Sequence, residues 1–348
     1  MNSALLLAKK LKENHSLTVT EYEYLISQRN NESRDYLKRE AHKAQQNIYG
    51  NFVYIRGLIE ISNICKNNCY YCGIRRDNKD CDRYRLSEND ILDCCRQGYD
   101  LGFRTFVLQG GEDSFFDDDI LCSIVKSIKN LYPDCAVTLS VGERSRESYE
   151  KLYSAGADRY LLRHEAKNPL LYEKLHPREL SLNNRLECIK NLKDIGYQVG
   201  CGFMVGAPYQ TPFDIALDLK FIEEFKPQMC GIGPFIPHKS TIFKAMPQGT
   251  VELTLYLLSI IRLIYPNILL PATTALGTID ENGRQEGILC GANVVMPNLS
   301  PISVRNKYEL YNNKLTTGAE SASKINELKK LIHNIGFEVV THRGDIIY

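Results

Sequence analysis

The apolar residues of this chain keep two different rhythms. Over residues 1–50 they recur at helical spacing among polar neighbours. Leu5, Leu6, Leu7 and Leu11 mark one stripe. A second helix is expected from about residue 17, with Thr20 as N-cap and Glu23 three residues on, and a third over 33–46. From about residue 52, short apolar runs of β character alternate with longer amphipathic stretches. The runs predict strands at 58–62, 105–109, 136–140, 159–163, 198–204, 229–233, 268–272 and 294–296. Helices are predicted between them at 88–101, 117–131, 146–155, 183–195, 211–225 and 250–264. Gly102, Gly156 and Gly196 stand where three of these helices should end. Eight strands separated by helices predict an α/β fold, a (βα)8 barrel, with an open doubly wound sheet as the alternative. The expected division is a helical extension over 1–50 packed on the barrel, the barrel over 51–311, and a helix and tail over 312–348 that complete it.

In such a barrel the chemistry gathers where strands end. The polar and unusual residues sit at those ends. Gln109-Gly-Gly-Glu-Asp113 follows the second predicted strand, Ser140-Val-Gly-Glu143 the third, and Arg163-His-Glu165 the fourth. Gly206-Ala-Pro208 follows the fifth strand, Gly233-Pro-Phe-Ile-Pro-His238 the sixth, Thr273-Thr274 the seventh and Pro297-Asn298 the eighth. The loop after the first strand carries Cys65, Cys69 and Cys72, spaced C-x3-C-x2-C.

Composition narrows what these residues can do. With 43% hydrophobic residues among 348, the chain can bury a large core. A formal net charge of +1 gives no general field toward nucleic acid or an anionic membrane. No apolar run is long enough to span a bilayer, and Met1 to Leu11 lack a signal-peptide pattern, so neither a membrane nor a nucleic acid is an expected partner. The twelve cysteines are scattered rather than spaced as a disulfide framework, which suits a reducing cytoplasm. Cys94-Cys95 reads as a chance neighbouring pair; three cysteines in eight residues do not.

Thiolates are soft ligands for zinc or iron–sulfur clusters. Three cannot close a structural zinc site, which would need a distant His or Cys81 as fourth ligand. On a four-iron cluster, three thiolates leave one iron open to a substrate. Gly110-Gly111-Glu112 can bring backbone close to a ligand and offer a carboxylate to an ammonium, although an ordinary βα turn reads the same way. Arg185 can pair with a carboxylate, or with Glu165 as a surface ion pair of little consequence. Arg56, Thr138, Thr273, Thr274, Met296 and Tyr308 would line the barrel interior, a mostly uncharged polar set with one cation that suits a small anionic or metal-bound ligand. His164 and His238 have no carboxylate at a telling spacing, and a structural role suits each as well as a catalytic one.

The cysteine spacing, with Tyr71 before the last cysteine, resembles the signature of the radical S-adenosylmethionine (SAM) enzymes, and Gly110-Gly111-Glu112 resembles their "GGE" motif. The fuller runs resemble the [FeFe]-hydrogenase maturase HydE family, on the biotin-synthase-like branch. They are Ile61 to Asn78, Val107 to Asp113, Ala157 to Glu165, Gly231 to His238, Pro271 to Thr278 and Gly291 to Asn298. The likeness spans about residues 50 to 311. It implies a [4Fe-4S] cluster on Cys65, Cys69 and Cys72, with SAM on the open iron. It implies Tyr71 beside the adenine, and Gln109, Gly110, Gly111, Glu112, Ser140, Glu165, Arg185 and Met229 around SAM. Within that set, Glu112 takes the amino group, Arg185 the carboxylate and Glu165 the ribose. Arg56, Thr138, Thr273, Thr274, Met296 and Tyr308 would face the substrate, and no side chain is expected to act as a catalyst beyond the cluster and SAM. The activity implied is formation of a 5′-deoxyadenosyl radical that acts on a cysteine-bound Fe(CO)2(CN) precursor of the H-cluster diiron subsite. The partners implied are that small organometallic or amino-acid-derived substrate, a ferredoxin or flavodoxin, and the other hydrogenase maturases. Another radical SAM activity of the same branch, such as methylornithine synthase, is the alternative, followed by a non-catalytic metal-stabilised binding module. One departure stands out. The stretch from Leu310 to Ile332, where some HydE proteins carry a second set of cluster cysteines, has none. Gly110 also stands where some relatives have Ser.

Overall fold

Alternation along the strands decides the architecture. In the computed structural model, which describes residues 3–348, Ile59, Ile61, Phe106, Leu108, Val137, Leu139, Tyr160, Leu162, Val199 and Cys201 all join the main apolar core under the helices. Residues in the opposite phase, Glu60, Gln109, Thr138, Ser140, Arg159 and Arg163, face the other way by the two-residue period. The strands therefore separate an apolar outer layer from a polar interior.

The strands are β1 (Phe52–Ile55), β2 (Gly57–Ser62), β3 (Thr105–Gly110), β4 (Ala136–Ser140), β5 (Arg159–Leu161), β6 (Gln198–Cys201), β7 (Met204–Val205), β8 (Met229–Cys230), β9 (Gly233–Pro234), β10 (Val294–Val295) and β11 (Glu338–Val340). A parallel sheet runs β2-β3-β4-β5-β6-β8. Residues 269–271 continue it through bridges Met229↔Leu269 and Pro271↔Val294, and Leu58↔Asn298 closes the ring. The closing hydrogen bonds are Tyr54 N to Asn293 O, Arg56 N to Val295 O and Leu58 N to Pro297 O, at 2.9–3.0 Å. This is the expected α/β barrel of parallel strands with helices between them.

Local deviations have local causes. The seventh predicted strand, 268–272, is reduced to two bridges. Pro271 has no N–H to give a ladder, and Leu270 N donates to the Asn293 side chain at 2.9 Å. The fifth predicted strand breaks into β6 and β7 at Gly202, whose carbonyl accepts from Glu165 N (3.0 Å). Helices start where capping residues stand: Ser87, Asp117, Ser145, Ser181, Thr211 and Thr250 each accept a backbone N–H from the first turn. Gly196, with φ 113, ends helix Leu182–Ile195.

The first helices, Ser3–Asn14, Val19–Ser27 and Asn31–Tyr49, pack against the barrel helices Pro212–Phe225 and Val251–Ile264; Met1 and Asn2 lie outside the described residues. Two expectations are corrected here. Thr18 and Glu21, not Thr20 and Glu23, form the capping box. The earlier start places Tyr22, Leu25 and Ile26 on the buried face, and the Tyr22 hydroxyl donates to Glu223 (2.7 Å). In the first helix Leu6 is exposed, and the buried stripe is Ala4, Leu5, Ala8 and Leu11. No helix among the described residues is long and apolar enough to cross a membrane.

The C-terminal segment closes the barrel base. β11 adds to β1, and residues beyond it run under the strands' N-terminal ends. Thr105 Oγ1 and Arg159 Nη2 donate to the Arg343 carbonyl at 2.8 and 2.9 Å. Asp345 receives Arg159 (2.6 Å) and Gln198 (2.9 Å) on one oxygen and Arg343 (3.0 Å) on the other. Burial works against the Asp345 charge, but Arg159, Arg343 and Gln198 more than offset it and hold its carboxyl far below the usual range. A depressed folded pKa contributes stability above the unfolded value near ~3.9, and loses it as pH falls toward the folded value. Asp345→Asn is therefore expected to lower the melting temperature at pH 7. The gap to wild type should shrink below about pH 4, which paired melts across that range would show.

Candidate functional site

The cysteine loop leaves β2 and folds back over the end of β3. Gly111 makes this approach possible: a Cβ there would lie 2.3 Å from Ile64 O and 2.7 Å from Cys65 Cβ. Two backbone hydrogen bonds fix the contact, Gly111 N to Ser62 O (3.1 Å) and Lys66 N to Glu112 O (2.9 Å). Glu112 N also approaches Cys65 Sγ at 3.4 Å. Farther along, Tyr70 N donates to Leu175 O and Gly73 N to Leu310 O. Arg83, which sequence reasoning passed over, gathers the carbonyls of Asn63 (2.6 Å), Ile74 (2.8 Å) and Arg75 (2.7 Å), so one guanidinium ties both ends of the loop. Gly111→Ala should displace this loop. Reconstituted Gly111→Ala protein is expected to hold less than half the wild-type iron, read by iron and sulfide analysis.

All twelve cysteines are free thiols. Burial, Cys65 and Glu165 push Cys72 up to about 12. Cys69 is pushed well above its usual range by burial and by Cys72 and Cys65. These half-buried thiols suit a metal group that takes them as thiolates and releases their protons. Among the described residues, no three His, Cys, Asp or Glu side chains converge as a single ion would require. Three thiols on one loop are the donor set that a cluster with one thiolate per iron would need.

Around this loop the charged residues form pairs. Glu112 accepts Glu143 N at 3.0 Å, and the Lys66 ammonium lies 3.3 Å from its other oxygen. The carboxylate packs over Gly142 (φ 85), where any Cβ would lie 1.9 Å from Glu112 Cγ. Arg185 is buried, pairs with Glu143 and donates to Arg163 O (2.8 Å). Burial opposes its charge, but Glu143 beside it outweighs that and holds its pKa above the ordinary value. The surface pairing considered for Glu165 and Arg185 is not what forms: Glu165 meets Arg163 at 3.1 Å. Glu165 sits at φ 64 in the left-handed region, which costs a non-glycine residue about 1–3 kcal/mol. His164 supports that turn. It is fully buried, accepts Gly202 N at Nδ1 (3.4 Å) and lies 3.2 Å from Asp218 through Nε2. The structure thus supplies the carboxylate partner that the sequence spacing did not reveal. His238 has one too, Glu309 at 3.5 Å.

A second group lies at the barrel base. Arg56, Thr138, Arg159, Leu161 and Met229 line a small cavity there. Met229 Sδ is 2.8 Å from Arg56 Nη1, and both line this cavity. Arg56 Nη2 reaches the Gly344 carbonyl at 3.4 Å. Arg56 Nε and Thr138 Oγ1 in this cavity, and Thr273 Oγ1 apart from it beside Gly233, are buried with no hydrogen-bond partner. Met296 packs with Tyr49, Tyr54, Met229 and Val294. Thr274 Oγ1 donates to Glu320 (2.8 Å). Gln109 and Tyr308 link the two groups, Nε2 to OH at 3.4 Å. Ser140 lies beside Gln109 in the sheet register, with Gly110 completing β3. Lys314, which no motif marked, reaches in to pair with buried Glu60 next to Tyr308.

Residues 59–222 match the family model of the radical SAM superfamily. The chain is 45% identical over 296 residues to the [FeFe] hydrogenase maturase subunit HydE of Thermotoga maritima, covering 85% of this chain and 84% of that protein. It is 28% identical to the 3-methylornithine synthase of Methanosarcina acetivorans, over 82% and 81% of the two chains. The crystal structure of methylornithine synthase (PylB) superposes with a TM-score of 0.83 over 96% of this chain and 97% of that one, at 24% identity, a likeness of fold.

Proposed function

The chain belongs to the HydE family of the radical SAM superfamily, and from that premise we propose that it cleaves SAM reductively at a [4Fe-4S] cluster held by Cys65, Cys69 and Cys72, and acts in assembling the diiron subsite of the [FeFe]-hydrogenase H-cluster. When bound, cluster and SAM supply an electron and a 5′-deoxyadenosyl radical; the protein supplies position and surroundings. Glu112, which already holds the Lys66 ammonium, would take the amino group of SAM. Arg185 would take its carboxylate and Glu165 its ribose hydroxyls. Tyr71 would lie by the adenine, and Gln109, Gly110, Gly111 and Ser140 would complete the wall. Arg56, Thr138, Thr273, Thr274, Met229, Met296 and Tyr308 would face the substrate.

One observation carries the choice of substrate. Arg56 Nε, Thr138 Oγ1 and Thr273 Oγ1 are buried polar atoms without partners. Such atoms are costly unless a ligand satisfies them. A small anionic complex with acceptor ligands, such as cysteine-bound Fe(CO)2(CN), would satisfy Arg56 and Thr138, which share one cavity, and would have to extend to reach Thr273 beside Gly233. A ferredoxin or flavodoxin would deliver the electron in a reducing cytoplasm, and other maturases would receive the product.

The test is anaerobic reconstitution with iron and sulfide, then SAM, dithionite and the synthetic precursor. Expected are 5′-deoxyadenosine and shifted CO and CN infrared bands. Should deoxyadenosine form with unchanged bands while supplied amino acids yield 3-methylornithine, the assignment moves to that neighbouring activity.

A further inference from the structure

The helix Pro169–Leu175 ends directly under the cysteine loop, and His176 follows it. The His176 ring stacks on Tyr172, centroids 3.9 Å apart at 19°. Its Nδ1 lies 2.9 Å from the Tyr172 carbonyl, which accepts a hydrogen bond and so makes Nδ1 the protonated nitrogen. Nε2 is then left as an acceptor, and the Tyr71 hydroxyl lies 3.2 Å from it. The two rings meet edge to face, 5.4 Å apart at 88°. His176 is buried, and burial, with Arg185 nearby, lowers its pKa to about 3 against the pull of the Tyr172 carbonyl. It therefore stays a neutral acceptor at working pH. One residue before Tyr71, Tyr70 N donates to Leu175 O at 3.0 Å. The end of the cysteine loop is thus docked on the same helix terminus twice, once by backbone and once by the Tyr71 side chain.

We propose that His176 is a positioning residue for SAM: by accepting the Tyr71 hydroxyl it fixes the Tyr71 ring as the wall for the adenine. This rests on the radical SAM reading above. An aromatic at this place needs only a ring to be apolar; the hydroxyl and its acceptor add a tether that sets the ring's angle. Glu112, Glu165 and Arg185 act on the charged and ribose parts of the ligand, whereas this tether acts on the base.

The test measures SAM binding to the oxidised, non-cleaving cluster by equilibrium dialysis, with electron paramagnetic resonance of the reduced cluster before and after SAM. The proteins are wild type, Tyr71→Phe, His176→Phe, the double variant and His176→Gln, whose side-chain carbonyl can accept the hydroxyl. At equal iron content, each Phe variant should weaken SAM binding by roughly three- to tenfold, the worth of one hydrogen bond. The double variant should bind no worse than either single one, and His176→Gln should recover most of the affinity. The resonance shift on adding SAM should change in the Phe variants and return in His176→Gln. Additive losses in the double variant, or His176→Gln binding no better than His176→Phe, would overturn the proposal. If His176→Phe does not fold, wild-type affinity in Tyr71→Phe overturns it equally. Wild-type protein that holds iron yet binds no SAM would instead remove the parent reading.

Discussion

Cys69→Ala is expected to fold as a barrel, hold almost no cluster after reconstitution and make no 5′-deoxyadenosine above background. The barrel does not depend on the cluster. Its ring is closed by strand hydrogen bonds, and the loop backbone is tied by Arg83, Leu175 and Leu310. On the proposed ligation, removing one thiol would take a third of the protein ligands from a group whose retention rests on them. Iron should fall from about four per chain to near none, with the melting temperature of the cluster-free forms little changed. Iron analysis, visible absorption and chromatography of nucleosides read all three. Retained iron with continued SAM cleavage would mean that other residues hold the cluster.

The second large effect is on stability. Glu60 is buried on β2, accepts Asn298 Nδ2 at 2.8 Å and pairs with Lys314, itself nearly buried. Lys314→Met leaves that carboxylate buried without its cation. Breaking one side of a buried pair costs roughly 3–5 kcal/mol. Urea denaturation of the cluster-free protein should show that loss, and Glu60→Gln combined with Lys314→Met should recover most of it. A single-variant loss below about 1 kcal/mol would show that water reaches Glu60 and solvates it.

What was legible in the sequence follows from the range of the forces involved. Strand and helix signals are local, and eight apolar runs with amphipathic stretches between them were enough to predict a barrel; the inward and outward phases of Ile59 and Glu60, or Leu108 and Gln109, came with the structure. Cys65, Cys69 and Cys72 declare themselves because soft-ligand spacing is compact in sequence. Thr18 could not be told from Thr20, because two overlapping Thr-x-x-Glu boxes differ only in which phase buries Tyr22. Pro271 is a local sign that 268–272 does not ladder fully, since it has no N–H to give. Asp218 beside His164, Lys314 beside Glu60 and His176 beside Tyr71 are long-range meetings with no periodic trace. The contact of Met229 with Arg56 was likewise invisible in the sequence.

The tie between Glu60 and Lys314 spans 254 residues of sequence. Two other ties, Gly73 with Leu310 at the cysteine loop and Thr105 with Arg343 at the base, are nearly as distant. On the ribosome the cysteine loop emerges early, while the segment that braces it and the tail that seals the base emerge last. Until then β2 is an unpaired edge and the thiols lie exposed on an open sheet. On the proposed ligation, a cluster placed in the finished site would be loaded after synthesis. In the cell, the window between release and ring closure is when this chain is most open to oxygen, to stray zinc and to the factors that deliver iron.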